Sequence, residues 1–194
     1  MIKANSIKVI SVLLIMVVAF FSIGCVEDYS TSLENADKKL VESDGYINAA
    51  MDLLEQERFD AAQAKLDEAV TALSLAESNV DDAKDKGATK EETDPYDAGI
   101  EYTKSWIPII RNSIELSKEM KEIEEKEYSE ELINKFISQI DKTLNDLDEA
   151  ENIGLDIIKK YPMIASELGV TNDIKDIKQI RAVYVDLKKM YEEL

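Results

Sequence analysis

Cys25 is the only thiol in the chain, and no histidine accompanies it anywhere. Those two facts decide most of the chemistry. Without imidazole there is no usual general base, no Ser/His/Asp or Cys/His triad and no typical zinc site. A single cysteine leaves no disulfide to form within the chain. The motifs G-x-x-x-x-G-K and G-x-G-x-x-G are absent, and the 6 glycines are too dispersed to cradle a phosphate. Catalysis would have to rest on pairs of Asp and Glu, which number 41 here and fall near one another everywhere. The expectation is a protein that is not an enzyme and needs no metal or cofactor.

Two other groups have side chains suited to binding. Trp106 lies in "YTKSWIPII" with Tyr96 and Tyr102 nearby, an aromatic set that could stack on a sugar or anchor a partner, or could pack across the bend expected from Pro108. The run "KEIEEKEYSEE" holds Glu122, Glu124, Glu125, Glu127, Glu130 and Glu131, oxygen ligands of the kind calcium and magnesium take. It lacks the glycine turn and alternating Asp/Asn of a calcium loop, so a solvated helix end is the simpler reading.

The surroundings of Cys25 say what its sulfur is for. From Val9 to Val26 no residue is charged, Lys3 and Lys8 precede the run, and no acidic residue appears before Glu27. This is a positive n-region followed by an apolar h-region. Its 18 residues sit near the lower limit for a spanning helix, so an uncleaved anchor and a removable leader both fit the length. Ser22 and Gly24 are small residues at the third and first positions before Cys25, the pattern read by a signal peptidase. The stretch resembles the lipobox of prokaryotic lipoproteins, with Ser22 where that family usually has Leu. The resemblance implies a signal peptide over 1–24, a diacylglyceryl thioether on Cys25 as the new N-terminus, and a short tether over 25–30. It places the remainder on the extracytoplasmic face of a cell membrane, the side the positive-inside rule also indicates.

Composition gives that anchor a purpose. Loss of Lys3 and Lys8 with the leader leaves 21 basic against 41 acidic residues, a formal charge of −20. Anionic headgroups repel such a chain. Acyl chains overcome the repulsion at about 0.8 kcal/mol per buried methylene. The same acidity argues against nucleic acid as a partner, since phosphate contacts need a basic face.

What remains, 31–194, reads as all-α: an antiparallel bundle of four long helices plus a shorter C-terminal helix. Thr31 and Glu34 form a capping box, and Leu33, Ala36, Leu40, Ser43, Ile47, Ala50 and Leu54 recur at steps of 3 and 4. After a polar turn at 56–58, Phe59, Ala62, Leu66, Ala69, Leu73, Ala76, Val80 and Ala83 keep the same rhythm. Large and small residues alternate along both seams, which lets two backbones approach closely. The hairpin resembles a single tetratricopeptide repeat, with Tyr46, Ala50, Phe59, Ala62, Leu66 and Ala69 at matching positions. Glu57 stands where that motif has glycine, Ala49 where it has Leu and Ser74 where it has proline. The small-residue face of Ala62, Ala69 and Ala76 is either internal seam or a groove for another helix.

The stretch "KDKGATKEETDP" stops the second helix at Gly87 and predicts a third starting at Asp94 as N-cap with Pro95 in its first turn. Pro108 predicts a kink near Lys104. Ser129 caps a fourth helix ending before Pro162, a short turn of helix surrounds Ile164, and a last helix runs from about Asp173. Equal lengths favour an up-down-up-down arrangement. Two functions compete: a lipid-held protein-interaction or scaffold module, and a solute- or cation-binding lipoprotein serving a membrane transporter. The second needs a polar interior pocket, which the apolar seams do not suggest.

Overall fold

A computed structural model describes residues 29–125 and 129–193. The leader, Cys25, the first residues of the expected tether and Glu127 lie outside the described residues. All regular structure described is helical: α1 (Tyr29–Glu55), α2 (Phe59–Asp85), α3 (Lys90–Glu125), α4 (Glu130–Lys160), α5 (Pro162–Glu167) and α6 (Val170–Glu192). Four long helices and a shorter final one make an all-α bundle. Among the described residues no helix is long and apolar enough to cross a membrane.

The first hairpin follows its sequence pattern closely. Ala36, Leu40, Ser43, Ile47 and Ala50 of α1 are buried, as are Ala62, Leu66, Ala69, Leu73, Ala76, Val80 and Ala83 of α2. Leu54 and Phe59, at the turn, are half-buried. The turn itself is a Schellman motif in which Glu57 N–H donates to Leu54 O (3.0 Å) and Arg58 N–H to Leu53 O (2.9 Å). It obliges Glu57 to adopt φ 57°, a left-handed conformation that costs a non-glycine residue about 1 kcal/mol or more. The equivalent turn after α2 uses Gly87 at φ 96° and has no such cost. Glu57→Gly should therefore stabilise the fold by about 1 kcal/mol, a rise of roughly 2 to 4 °C in Tm by thermal unfolding, because the exposed Lys121 ion pair it removes is worth little.

Helix α3 is the spine. It packs on α1 and α2 on one side and on α4 on the other, while α6 packs on α4 and α5 bridges α4 and α6. Its two apolar stripes explain this. Ile100, Ile107, Ile110 and Ile114 join the core with α1 and α2, whereas Ala98, Tyr102, Trp106 and Ile109 join a second core with α4, α5 and α6. A third cluster of Leu116, Ile123, Phe136, Ile140 and Tyr191 closes the far end. The pair α1 and α4, which a closed four-helix ring would bring together, is not among the packed pairs.

Three boundaries differ from the sequence reading. Helix α3 starts at Lys90, so Asp94 is not its cap and Pro95 lies in the second turn. The start is set by Thr89, whose N–H and hydroxyl both donate to Glu92 Oε2 (2.7 and 2.9 Å) while Tyr29 Oη donates to Glu92 Oε1 (2.6 Å). That last bond also ties down α1, which is already helical at Tyr29 and Ser30; Thr31 is inside the helix, and two residues expected in the tether belong to the bundle. The last helix begins at Val170, earlier than expected, after Gly169 turns the chain at φ 68°. Pro108 leaves α3 one continuous helix. Ser129 caps α4 as expected, its Oγ accepting from Leu132 N–H at 3.2 Å.

Candidate functional site

The aromatic set named from sequence is divided by the fold. Trp106 is 2% exposed and meets Tyr102 edge to face, with ring centroids 6.5 Å apart. Both lie in the α3–α4–α6 core, and among the described residues no acceptor meets Trp106 Nε1 in hydrogen-bond geometry. Tyr96 is half-buried on the opposite core. Ala62, Ala69 and Ala76 are wholly enclosed between α1, α2 and α3, and offer no surface to another helix. Five of these six are buried, and Tyr96 alone keeps part of its ring at the surface.

The fold instead brings near one another two carboxyls that no motif marks, Asp173 buried and Asp44 half-buried. Asp173, near the start of α6, is 3% exposed and accepts from Tyr102 Oη at 2.9 Å. Asp44 of α1 lies close enough for their charges to interact. Its Oδ2 accepts from Asn48 at 3.3 Å, and its Oδ1 is buried with no donor among the described residues. Burial, then the charge of Asp173, raises the Asp44 carboxyl to about 7. Burial raises Asp173 to about 6, against the stabilising bond from Tyr102 and with a further push from Asp176. Burial and the same carboxylate push the Tyr102 phenol up. The phenol and the buried carboxyl thus join α3 and α6, with the half-buried Asp44 of α1 near enough for its charge to be felt. Among the described residues no group of three or more candidate ligands is placed to hold a metal ion.

An open surface lies along the seam of α3 and α4. Two hollows of about 470 and 390 Å³ share Asp97, Glu101 and Ile153, so they form one groove. Of its apolar lining residues, Ala98, Ile100 and Ile157 are buried in the cores beneath it and Ile153 is half-buried. Its rim is acidic, with seven carboxylates against three lysines. The lysines are partly spent: Lys160 pairs with Asp156 at 2.7 Å, and Lys104 pairs with Glu77 of α2. Lys84, outside the groove, reaches Asp97 at 3.1 Å. Asp146 is hydrogen-bonded by the Asn112 amide, yet burial and then the charge of Glu149 raise its carboxyl above the usual range. Neither Glu101 nor Glu149 is in a salt bridge among the described residues.

No family model, no curated protein and no solved structure matches the chain. The groove and the buried pair therefore stand on their own geometry.

Sequence reasoning missed both. Asp173 did carry a signal: it falls one residue before Ile174 and between Val170 and Ile177, on the buried face of α6. A carboxylate at an apolar-periodic position reads as buried, whereas at a helix start it passes for a cap. The groove left a fainter trace, since Asp94, Asp97 and Glu101 recur at steps of 3 and 4 on α3 and so share one face.

Proposed function

We propose that this chain is a membrane-anchored, extracytoplasmic lipoprotein whose helical domain is a non-enzymatic protein-interaction module. The observation that carries the reading is the acid-rimmed groove along α3 and α4, where Glu101 and Glu149 are exposed and in no salt bridge among the described residues. A concave surface with exposed carboxylates that lack a partner within the chain offers complementary contacts to a protein partner. The leader pattern around Cys25 supports the address, and helical structure from Tyr29 onward keeps the domain within a few residues of the lipid. The chain has no histidine and no second cysteine, which supports a role in binding and not in catalysis.

Two measurements test this. Cys25→Ser should abolish incorporation of a labelled fatty acid and change the gel mobility of the chain; membrane association with unchanged mobility would sink the anchor. A photo-reactive residue at Glu101, in the groove, should give a discrete cross-linked protein adduct in living cells. The same residue at the exposed Asp52 of α1 should not. Equal labelling from both positions, or none from either, would remove the interaction reading.

A further inference from the structure

Resting on the lipoprotein reading, we propose that one end of the bundle, built from the start of α1, the α2–α3 turn and α5, stands on the bilayer with Met163 among the headgroups. Side-chain bonds gather that end around the first turns of α3. Tyr29 Oη donates to Glu92 (2.6 Å), Tyr161 Oη donates to Asp94 (3.3 Å), and Lys86, just past α2, donates to Ser32 of α1 (3.2 Å). Met163 follows Tyr161 by two residues and, at 58%, is the most exposed large apolar side chain among the described residues. Ile164 and Ala165 beside it are buried, so the turn that carries Met163 is held by the core while its own side chain is left to the outside.

The tether selects this end and the charge sets the chain upright. From Cys25 to Tyr29 is four residues, a reach of about 14 Å at most, and Tyr29 is bonded into the end itself. Helix α3, 36 residues at 1.5 Å each, is about 54 Å long, so the bundle is a rod held by one tip. A rod acidic along its whole length is repelled least by anionic headgroups when it stands on that tip, because most of its carboxylates then lie beyond the roughly 8 Å over which physiological salt screens them. The tip also has what a headgroup layer accepts. Lys90 and Lys159 are exposed and in no salt bridge among the described residues, and their ammonium groups can stay in water while their stems and Met163 are covered.

Acylation leaves Cys25 without a thiol, so Met163→Cys, Met120→Cys or Met190→Cys each provides one site for a thiol-reactive fluorophore, at positions exposed enough to spare the fold. The full chain, recovered from cell membranes, is placed in vesicles of phosphatidylcholine and phosphatidylglycerol, with and without a lipid bearing a nitroxide at its headgroup. The fluorophore on Met163→Cys should lose about half or more of its emission to the nitroxide, and those on Met120→Cys and Met190→Cys less than about a tenth, since 28 residues of α3, about 42 Å, separate Glu92 from Met120. Met190 shares that far end, next to Tyr191, whose ring packs 4.7 Å from that of Phe136 near the start of α4. Aqueous iodide should quench the label on Met163→Cys at least about threefold less than the label on Met190→Cys, because the headgroup layer covers it. Equal nitroxide quenching at all three positions means that the bundle lies flat, and overturns the proposal. Quenching at Met163→Cys without shielding from iodide means that the tether holds the end near the lipid without contact, and overturns it too. Labelling of the parent chain exposes a free Cys25 thiol and removes the anchor together with the proposal, whereas an unlabelled parent with no quenching at Met163→Cys overturns the orientation and leaves the anchor standing.

Discussion

Replacing Asp44 and Asp173 together by Asn is expected to stabilise this protein at pH 8 and to leave it nearly unchanged at pH 4. Both carboxyls are raised in the folded state, to about 7 and about 6, against an ordinary 3.8. Between those limits the folded chain keeps protons that the unfolded chain has released, so stability falls as pH rises. Their contribution is fully present below pH 3.8, declines through pH 6 to 7, and is flat above. A tenfold difference in proton affinity between the folded and unfolded chains is worth about 1.4 kcal/mol, and discounting for the mutual coupling of the pair leaves a loss on the order of 3 kcal/mol. In a chain of this size that is a gain of roughly 6 to 12 °C in Tm for the double Asn variant at pH 8. Burial is the leading cause in both carboxyls, and no cation is among the causes in either.

The comparison must be between variant and parent at each pH, because other carboxyls act with the opposite sign. Glu151 is held low by its bond from Arg181, Glu92 by Tyr29, Asp82 by Lys86 and Glu42 by Lys39. What they contribute is present above the ordinary carboxylate range and lost on acidification. These groups are common to both proteins and cancel in the difference. Thermal melts from pH 4 to 8 decide the matter: a gap that stays constant with pH would mean the two carboxyls ionise normally in the folded chain.

The contrast between what was legible and what was not has a physical cause. The positions of the α1 and α2 seam could be read residue by residue, because large and small apolar groups alternating at 3.6-residue spacing fall on one face of each helix. Whether a neighbour in the fold or another helix covers that face is not written in the spacing. Ile100, Ile107, Ile110 and Ile114 lie at helical spacing and mark one apolar stripe on α3, but that spacing does not say that α3 carries a second stripe and becomes the shared spine; that depends on which helix faces which, and periodicity holds no such information. The start of α3 was misplaced because Asp94-Pro95 is a strong local signal, and the carboxylate of Glu92 outweighs it with three bonds, one of them from Tyr29 at the start of α1. The buried acids and the groove were hidden for the same reason. Each is made by residues from separate helices, and in so acidic a sequence a single aspartate does not stand out.

Gly154→Leu should be the most damaging single substitution in the α4–α6 core. A Cβ at Gly154 would lie 3.0 Å from Val170 Cγ1 and 3.3 Å from both Ile174 Cδ1 and Tyr102 Cε2. Alanine there asks three side-chain tips to give by a few tenths of an ångström, and gains about 1 kcal/mol of helix propensity in return, so Gly154→Ala should fall within about 1 kcal/mol of the parent. Leucine adds three more carbons where none fit, at a cost of about 3 kcal/mol or roughly 6 to 12 °C in Tm. The location makes the effect more than steric. Tyr102 is the ring that donates to Asp173, and Val170 and Ile174 flank that carboxylate on α6. Displacing them opens the acid pair to water and should lower both raised carboxyls toward the ordinary range. The leucine variant is thus expected to lose stability at pH 5 more than at pH 8, where the parent has already lost what the buried pair contributed. Equal losses at the two pH values would mean that α6 gives way without disturbing the carboxyls, and that the close approach at Gly154 and the buried pair are independent features of the fold.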